Sequence, residues 1–195
     1  MKTPLRYQLT EYDCGPTSVL NAISFLFDRE DIPPEIIKNI TLFTLDRYGS
    51  NGERCMGGTS RMAMMYLSEW LNAYGGTGLL PVSGEYYSGE NVFLGGESAI
   101  SDAVKNGAVA VIRLYFDVWH YVLVTGERDG KVFLFDPYYA DKPFKEEDVI
   151  LDDGHPFEYN RIVPLKYFDC EKIELYALGE KAKREALVIR RTDKK

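Results

Sequence analysis

Apolar positions in the first part of the chain recur at the spacing of an amphipathic helix. They are Val19, Leu20, Ile23, Leu26 and Phe27. Asn21 and Ser24 fall on the opposite face of such a helix. Pro16 suits its first turn, because the N–H that proline lacks has no intrahelical acceptor there. The pattern therefore predicts a helix that begins near Cys14 and ends within residues 28–31.

Further helices are predicted before residue 107. Pro33-Pro34 can open the second, with inward positions at Ile36, Ile37, Ile40 and Phe43. Residues 46–58 are rich in glycine and charge and are interpreted as a surface loop, after which Thr59 or Ser60 can cap a third helix. The expected core positions of that helix are Met62, Met65, Tyr66, Leu71 and Tyr74. A fourth, short helix is predicted from Ser98 through Val104.

Beyond residue 107 the pattern changes to β-branched and aromatic runs. Strands are predicted at residues 108–116, 120–125 and 131–135, and then at 159–164, 172–178 and 187–191. Arg128-Asp129-Gly130 supplies a hairpin turn between the second and third of these strands. Helices followed by a mostly antiparallel sheet define an α+β fold. We expect a single domain over residues 1–195, helical over about 14–107 and sheet-forming over about 108–191.

Composition narrows the classes of function. The formal net charge is −7, with 23 Lys and Arg against 30 Asp and Glu, which disfavours a nucleic-acid partner. The basic cluster Arg190, Arg191, Lys194 and Lys195 is interpreted as a solvated tail. No secretion signal and no apolar run of membrane-spanning length is found, so no membrane partner is expected. Cys14, Cys55 and Cys170 are too widely spaced for a disulfide framework or a structural zinc site, which favours a reducing cytoplasm.

Cys14 is the candidate nucleophile. A helix N-terminus or a neighbouring imidazolium favours the thiolate, which is the reactive form of cysteine. Cys14 stands in Asp13-Cys14-Gly15-Pro16, where an irregular segment becomes a helix. The alternative for any lone cysteine is a small buried hydrophobe, and that interpretation is preferred for Cys55 and Cys170.

His120 and Asp136 are the candidate base and the residue that orients it. If residues 120–125 and 131–136 form a hairpin closed by Arg128–Gly130, counting outward from the turn brings His120 and Asp136 almost level. A carboxylate there would fix the imidazole tautomer and stabilise its cation. The alternatives are a structural histidine and a turn residue before Pro137. His155 lies in a turn and is expected to be solvated.

Acyl transfer also needs hydrogen-bond donors for the oxyanion that forms on the attacked carbonyl. The Gln8 carboxamide can donate one hydrogen bond, and the backbone N–H of Cys14 can donate the second. Asp13 can brace the loop or cap the helix, and it is assigned a structural role.

These motifs resemble those of the C39-type cysteine peptidases of the papain-like superfamily. The resemblance rests on Gln8-x5-Cys14-Gly15-Pro16, His120-Tyr121-Val122 and Asp136-Pro137, in that order and spacing. It implies a papain-like fold, with Cys14 as nucleophile, His120 as general base and acid, Asp136 as its orienter and Gln8 as oxyanion donor. The family includes peptidase domains of bacteriocin-exporting transporters and stand-alone bacterial proteins, and this chain resembles the stand-alone members.

The implied activity is hydrolysis of a peptide or amide through a thioester acyl-enzyme, with no metal and no cofactor. The double-glycine specificity of the transporter members does not carry over, because residues 30–107 form a longer insertion that can shape another pocket. An acyltransferase or transglutaminase-type enzyme would use the same triad with a different acceptor. A non-catalytic peptide-binding module would keep the fold but is disfavoured by the intact triad. A metal site is disfavoured by the mixture of soft and hard ligands.

Overall fold

The computed structural model describes residues 1–193. Its α-helices and β-strands, in chain order, are α1 (Cys14–Leu26), α2 (Pro34–Thr44), α3 (Arg61–Gly76), β1 (Val82–Ser88), α4 (Ala99–Lys105), β2 (Val109–Phe116), β3 (Val118–Arg128), β4 (Lys131–Phe135), β5 (Ile150–Leu151), β6 (Arg161–Pro164) and β7 (Glu185–Arg191). Short 3₁₀ helices occur at Arg29–Asp31, Gly89–Asn91, Leu165–Tyr167 and Lys181–Lys183. No helix in this part of the chain is long and apolar enough to cross a bilayer.

Within residues 1–193 the strands form one antiparallel sheet in the order β1-β7-β2-β3-β4-β6-β5. One core packs α1, α2 and α3 against one face of the sheet. Another core packs α4 and the segment around Phe168 to Leu178 against the opposite face. The mixture of helices with an antiparallel sheet confirms the α+β class. Because the central strands are covered on both faces, alternate residues of β2 enter different cores.

The predicted elements are confirmed in most places. Ser60 is the N-cap of α3 and accepts a hydrogen bond from Ala63 N at 3.2 Å, and Ser98 caps α4. Asp129 and Gly130 have positive φ angles in the predicted two-residue turn between β3 and β4. The first helix ends earlier than predicted, at Leu26. Within the largely helical part, residues 14–107, the sequence indicates short strand-like pieces at 79–82 and 92–94; β1 instead occupies Val82–Ser88, and residues 92–94 form no strand.

The predicted inner face of α3 is wrong at three of its five positions, whereas Leu71 is buried and Tyr74 packs against the core. Met62, Met65 and Tyr66 are exposed, whereas the buried residues are Ala63, Met64, Leu67, Ser68 and Leu71. The reason is close packing on β1: a Cβ added to Gly84 would lie 3.1 Å from Ser68 Cα. The side of α3 that carries Ser68 can approach β1 that closely, so this side faces the sheet and Met62, Met65 and Tyr66 face outward.

Two predictions near the C-terminus are also corrected. Residues 172–178 do not form a strand; they turn, so that Tyr176 is buried with a φ angle of 59°. Arg190 and Arg191 belong to β7 rather than to a solvated tail, and Arg190 pairs with Glu85 at 2.7 Å across the β1–β7 pairing. Lys194 and Lys195, the rest of the basic cluster, lie outside the described residues.

Candidate active site

Cys14 is the first residue of α1 and lines a cleft of about 530 Å³ together with Gln8 and His120. Its side chain is largely buried. The glycine that follows it is required by packing, because a Cβ on Gly15 would lie 2.1 Å from Thr59 Oγ1. Without a side chain at Gly15, the first turn of α1 can pack directly on Thr59, which precedes α3. The first N–H groups of α1 have no intrahelical acceptor, so they point to where a developing anion would sit.

The loop before Cys14 is braced by Asp13. Its carboxylate accepts hydrogen bonds from Leu9 N at 3.0 Å, from Thr10 N at 2.7 Å and from Thr10 Oγ1 at 2.6 Å. It makes no side-chain cap bond to α1. The structural role predicted for Asp13 is therefore confirmed, as a brace of the loop and not as a helix cap.

Polar residues of α1 fix the helix to its surroundings. Ser18, one helical turn after Cys14, donates a hydrogen bond to the Tyr121 carbonyl at 3.0 Å, next to His120. Asn21 exchanges two hydrogen bonds with the Arg6 backbone, at 2.8 and 2.9 Å. Asn21 and Ser24 are buried, so the polar face expected from the sequence is internal. Sequence analysis missed this positioning role, for which the signal was a set of small polar residues within an otherwise apolar helix.

His120 and Asp136 are in direct contact. His120 Nε2 lies 2.7 Å from Asp136 Oδ1, and the two residues are 4% and 0% exposed. The contact leaves Nδ1 as the ring nitrogen available to Cys14. Burial lowers the pKa of His120, but the charge and hydrogen bond of Asp136, followed by those of Cys14, outweigh burial and raise the pKa to about 10. The imidazole is thus held as a cation between the carboxylate and the thiol.

A β-bulge brings these two side chains to the same face of the hairpin. Near the turn Gly126 pairs with Phe133, but beyond Thr125 the register shifts, so that Leu123 pairs with Phe135. Continuing the shifted register puts Asp136 two residues from the position opposite His120, on the same face. The unshifted register would put the two residues on opposite faces. The outward count from the turn succeeds only because Thr125 is left unpaired, and the available signal was Gly126, directly after the predicted strand 120–125.

The main chain at Asp136 is clamped by Asn160, which sequence analysis missed. Asp136 N donates to Asn160 Oδ1 at 2.7 Å, and Asn160 Nδ2 donates to the Asp136 carbonyl at 2.8 Å. Asp136 Oδ1 also accepts from Tyr138 N at 2.8 Å. Asp136 Oδ1, the oxygen that contacts His120, is therefore also fixed by the backbone N–H of Tyr138.

Behind Asp136 lie Tyr176 and Arg161, both completely buried. Asp136 Oδ2 and Tyr176 Oη have no hydrogen-bond partner of standard geometry within residues 1–193. The two groups nevertheless interact: burial and then the charge of Asp136 raise the pKa of Tyr176, and Arg161 opposes that effect. Arg161 donates to the carbonyls of Asn160 and Tyr138 at 2.8 and 3.2 Å. A buried cation close to Asp136 offsets the cost of burying that carboxylate.

Gln8 lies at the cleft, but its carboxamide is partly engaged. Nε2 donates to the Thr10 carbonyl at 2.8 Å, which leaves its second hydrogen for another acceptor. Oε1 is buried without a partner in the described part of the chain. The backbone N–H of Gln8 donates to the Pro137 carbonyl at 2.8 Å, so the Gln8 segment is fixed beside Asp136.

The remaining cysteines and His155 do not line this cleft. Cys55 is exposed, Cys170 is half-buried, and neither forms a disulfide with Cys14. His155 is partly exposed and lies 3.6 Å from Asp152. Within residues 1–193 no three His, Cys, Asp or Glu side chains are grouped as metal ligands would be.

The chain was compared with known proteins in three ways. No protein-family model matches it. A search of curated proteins finds no match. Among solved structures, it is similar to a double-glycine-motif protease from an AMS/PCAT transporter, determined in complex with the leader peptide. That similarity has a TM-score of 0.49 at 13% sequence identity and covers 98% of this chain and 93% of the other. A likeness at this level does not assign the chain to a family.

Proposed function

We propose that this protein is a papain-like cysteine hydrolase that cleaves a peptide or amide bond. The observation that carries the proposal is the position of His120, which contacts Asp136 at 2.7 Å and interacts with Cys14 at the start of α1. A nucleophile next to a base, with the base held by a third group, is the arrangement expected for covalent catalysis.

In the proposed reaction, the Cys14 thiolate attacks the substrate carbonyl carbon and forms a carbon–sulfur bond. The oxyanion that results accepts hydrogen bonds from the Cys14 backbone N–H and from the remaining N–H of Gln8. The His120 imidazolium gives its proton to the leaving amine as the carbon–nitrogen bond breaks, which leaves a thioester and a neutral imidazole. His120 then takes a proton from water as the water oxygen attacks the thioester carbon; the carbon–sulfur bond breaks, which releases the acid product and restores the Cys14 thiolate beside the His120 imidazolium.

Each supporting residue has a distinct task in this proposal. Asp136 keeps the imidazole oriented and stabilises its charge, and Asn160 fixes the main chain of Asp136. Ser18 holds α1 against β3 and thereby fixes the distance between the thiol and the imidazole.

An activated ester tests the reaction without knowledge of the natural substrate. We expect p-nitrophenyl acetate to acetylate Cys14 in the wild type, observed as a mass increase on that residue, and the acetyl group to be lost to water. Cys14→Ala should show no acetylation in the cleft, and His120→Ala should slow acylation by at least about a hundredfold. His155→Ala is the matched control, because it removes the exposed histidine instead.

Adding hydroxylamine during turnover identifies the acceptor. Release of acetate as the main product supports a hydrolase, whereas efficient transfer to the amine at low concentration would support an acyltransferase. Acetylation of Cys55 with none on Cys14 would reject the proposed function.

A further inference from the structure

Arg113 brings a positive charge into the cleft that the proposed reaction does not use. It lies on β2. Its side chain is on the same face of the strand as Val109 and Val111, which pack beneath α1. Its side chain is 23% exposed and lines the same cleft as Cys14 and His120. Tyr121, the direct cross-strand partner of Arg113 on β3, also lines the cleft.

The guanidinium group of Arg113 has two fixed contacts: Nε forms an ion pair with Glu185, and the planar face stacks on the Trp119 ring. Its Nε lies 3.6 Å from Glu185 Oε1, and its Cζ lies 4.5 Å from the centre of the Trp119 ring. Trp119 is itself fixed against Gly179, where an added Cβ would lie 2.4 Å from the indole. The terminal nitrogens, Nη1 and Nη2, donate no hydrogen bond within residues 1–193, and the shortest contact with Glu185 is made by Nε. The Arg113 side chain is therefore oriented before a ligand binds, and its terminal nitrogens, Nη1 and Nη2, are available to a ligand in the cleft.

The charge of Arg113 is only partly neutralised. Glu185 is buried and shares its carboxylate between Arg113 and Arg61, which lies 3.7 Å away, and it also accepts from Tyr86 Oη at 3.0 Å. One carboxylate thus faces two guanidinium groups, which leaves a net positive charge beneath the cleft.

Besides Arg113 and the buried His120 imidazolium, which contacts the Asp136 carboxylate, the charged residues that line the cleft are Arg47, Glu11 and Asp117, and these three are exposed at its rim. Water screens charges at such positions more strongly than it screens a half-buried one. The net positive charge at the base of the cleft therefore contrasts with a chain whose formal charge is −7.

One buried hydroxyl group of the cleft lacks a hydrogen-bond partner. Thr59 Oγ1 belongs to a residue that is 8% exposed, and it has no partner within residues 1–193. Tyr121 Oη, on a residue that is 4% exposed, has no partner of standard geometry there, but it interacts with Glu185: burial, then the charge and hydrogen bond of Glu185, raise the pKa of Tyr121 well above its ordinary value. A buried polar group without a partner is costly, so Thr59 Oγ1 is available to a group bound in the cleft.

We propose that Arg113 forms a subsite for a carboxylate of the substrate, with the Thr59 hydroxyl group as an additional donor. The proposal rests on the proposed function, because it concerns the cleft in which Cys14 attacks. A guanidinium group recognises the two oxygens of a carboxylate through parallel N–H donors, and an aromatic face keeps it in that orientation. The preferred substrate class is thus an acyl compound that carries a carboxylate close to the attacked carbonyl.

Two alkylating reagents of nearly the same size test this subsite. Iodoacetate carries a carboxylate next to the carbon that the Cys14 sulfur attacks, whereas iodoacetamide is neutral. We expect the ratio of their rates at Cys14 to favour iodoacetate relative to the same ratio at the exposed Cys55. In Arg113→Met that preference should fall by about tenfold, as expected for loss of a charged hydrogen-bond partner.

Two other arginines provide matched controls. Arg61→Met removes the second cation of Glu185 from outside the cleft and leaves that carboxylate to Arg113 alone, so it should reduce the preference by less than Arg113→Met does. Arg47→Met removes a cation from the exposed rim and should keep most of it. A preference lost in Arg47→Met but kept in Arg113→Met would overturn the assignment to Arg113. Arg113→Lys is a second variant that keeps the charge, and it should retain part of the preference.

The two proposals fail in distinguishable ways. If Cys14 reacts rapidly with iodoacetamide but shows no preference for iodoacetate over that at Cys55, the carboxylate subsite is rejected and the thiol hydrolase stands. If Cys14 reacts with neither reagent faster than Cys55 does, the proposed function itself is rejected.

Discussion

At the scale of single residues, the candidate site depends on small polar side chains that are buried and fully engaged. Ser18, Asn21 and Asn160 each bond to a backbone group next to a candidate catalytic residue or its loop. A buried hydrogen bond contributes modestly to stability, but an unpaired buried partner is costly. These residues therefore fix distances between groups that come from remote parts of the sequence.

Ser18→Ala tests this positioning role. The change leaves the buried Tyr121 carbonyl without its donor, so we expect the free energy of unfolding to fall by about 1–3 kcal/mol. Alkylation of Cys14 should also slow, because α1 is no longer tied to the strand that carries His120. Ser24→Ala is the matched control on the same helix, since Ser24 makes no bond to β3. Equal effects of the two substitutions on Cys14 reactivity would contradict the role of Ser18.

The pKa of His120 predicts a pH dependence of stability. Because its folded pKa lies above the ordinary 6.5, at about 10, protonation of His120 stabilises the folded state. That contribution is fully present below about pH 6.5 and is lost as the pH rises toward about 10. The difference in melting temperature between the wild type and His120→Gln should therefore shrink over this range, with His155→Gln as a control. A difference that stays constant from pH 6.5 to 10 would refute the raised pKa.

At the scale of secondary-structure elements, the sequence predicted what local pattern determines and missed what packing determines. Turn chemistry at Asp129-Gly130 and the caps at Ser60 and Ser98 were predictable because they depend on neighbouring residues. The inner face of α3 was not, because Gly84 on a remote strand decides which side of the helix can approach the sheet. The bend that buries Tyr176 was missed for a similar reason: its backbone bonds to Tyr115, about sixty residues earlier in the chain.

The bulge at Thr125 leads to a prediction about deletion. Because Thr125 is unpaired, removing it should leave Val124 paired with Leu134 and His120 on the same face as Asp136. We expect the deletion to cost about 1 kcal/mol, from loss of the Thr125 Oγ1 bond to the Phe133 carbonyl, and Cys14 to remain selectively reactive. A folded variant in which Cys14 loses its selective reactivity would show that the bulge does more than adjust register.

At the scale of the whole molecule, one sheet joins the two cores. Helices α1, α2 and α3 cover one face and α4 covers the other, and β2, β3 and β7 contribute side chains to both cores. The candidate site lies where Cys14, from the helical side, meets His120 and Asp136 at the end of the sheet. The sequence predicted these three residues and the hairpin that joins two of them. It did not predict Asn160, Arg161 or Tyr176, because nothing local marks a residue that contacts Asp136 from behind.

The shared sheet predicts a single cooperative unfolding transition, as expected if the chain is one domain. Far-ultraviolet circular dichroism, which reports helices and sheet, and near-ultraviolet circular dichroism, which reports the packed aromatic side chains, should give coincident denaturation curves. Two separated transitions would contradict the single-domain prediction.

The central claim is that His120 activates Cys14, and selective alkylation tests it most directly. Iodoacetamide would be applied to the wild type, His120→Ala and His155→Ala from pH 5 to 9, with the modified cysteine identified by mass spectrometry. We expect Cys14 in the wild type, although buried, to react much faster than Cys55 and Cys170 below pH 8. This selectivity should persist in His155→Ala and disappear in His120→Ala. Equal reactivity of the three cysteines in the wild type, or unchanged selectivity without His120, would contradict the account.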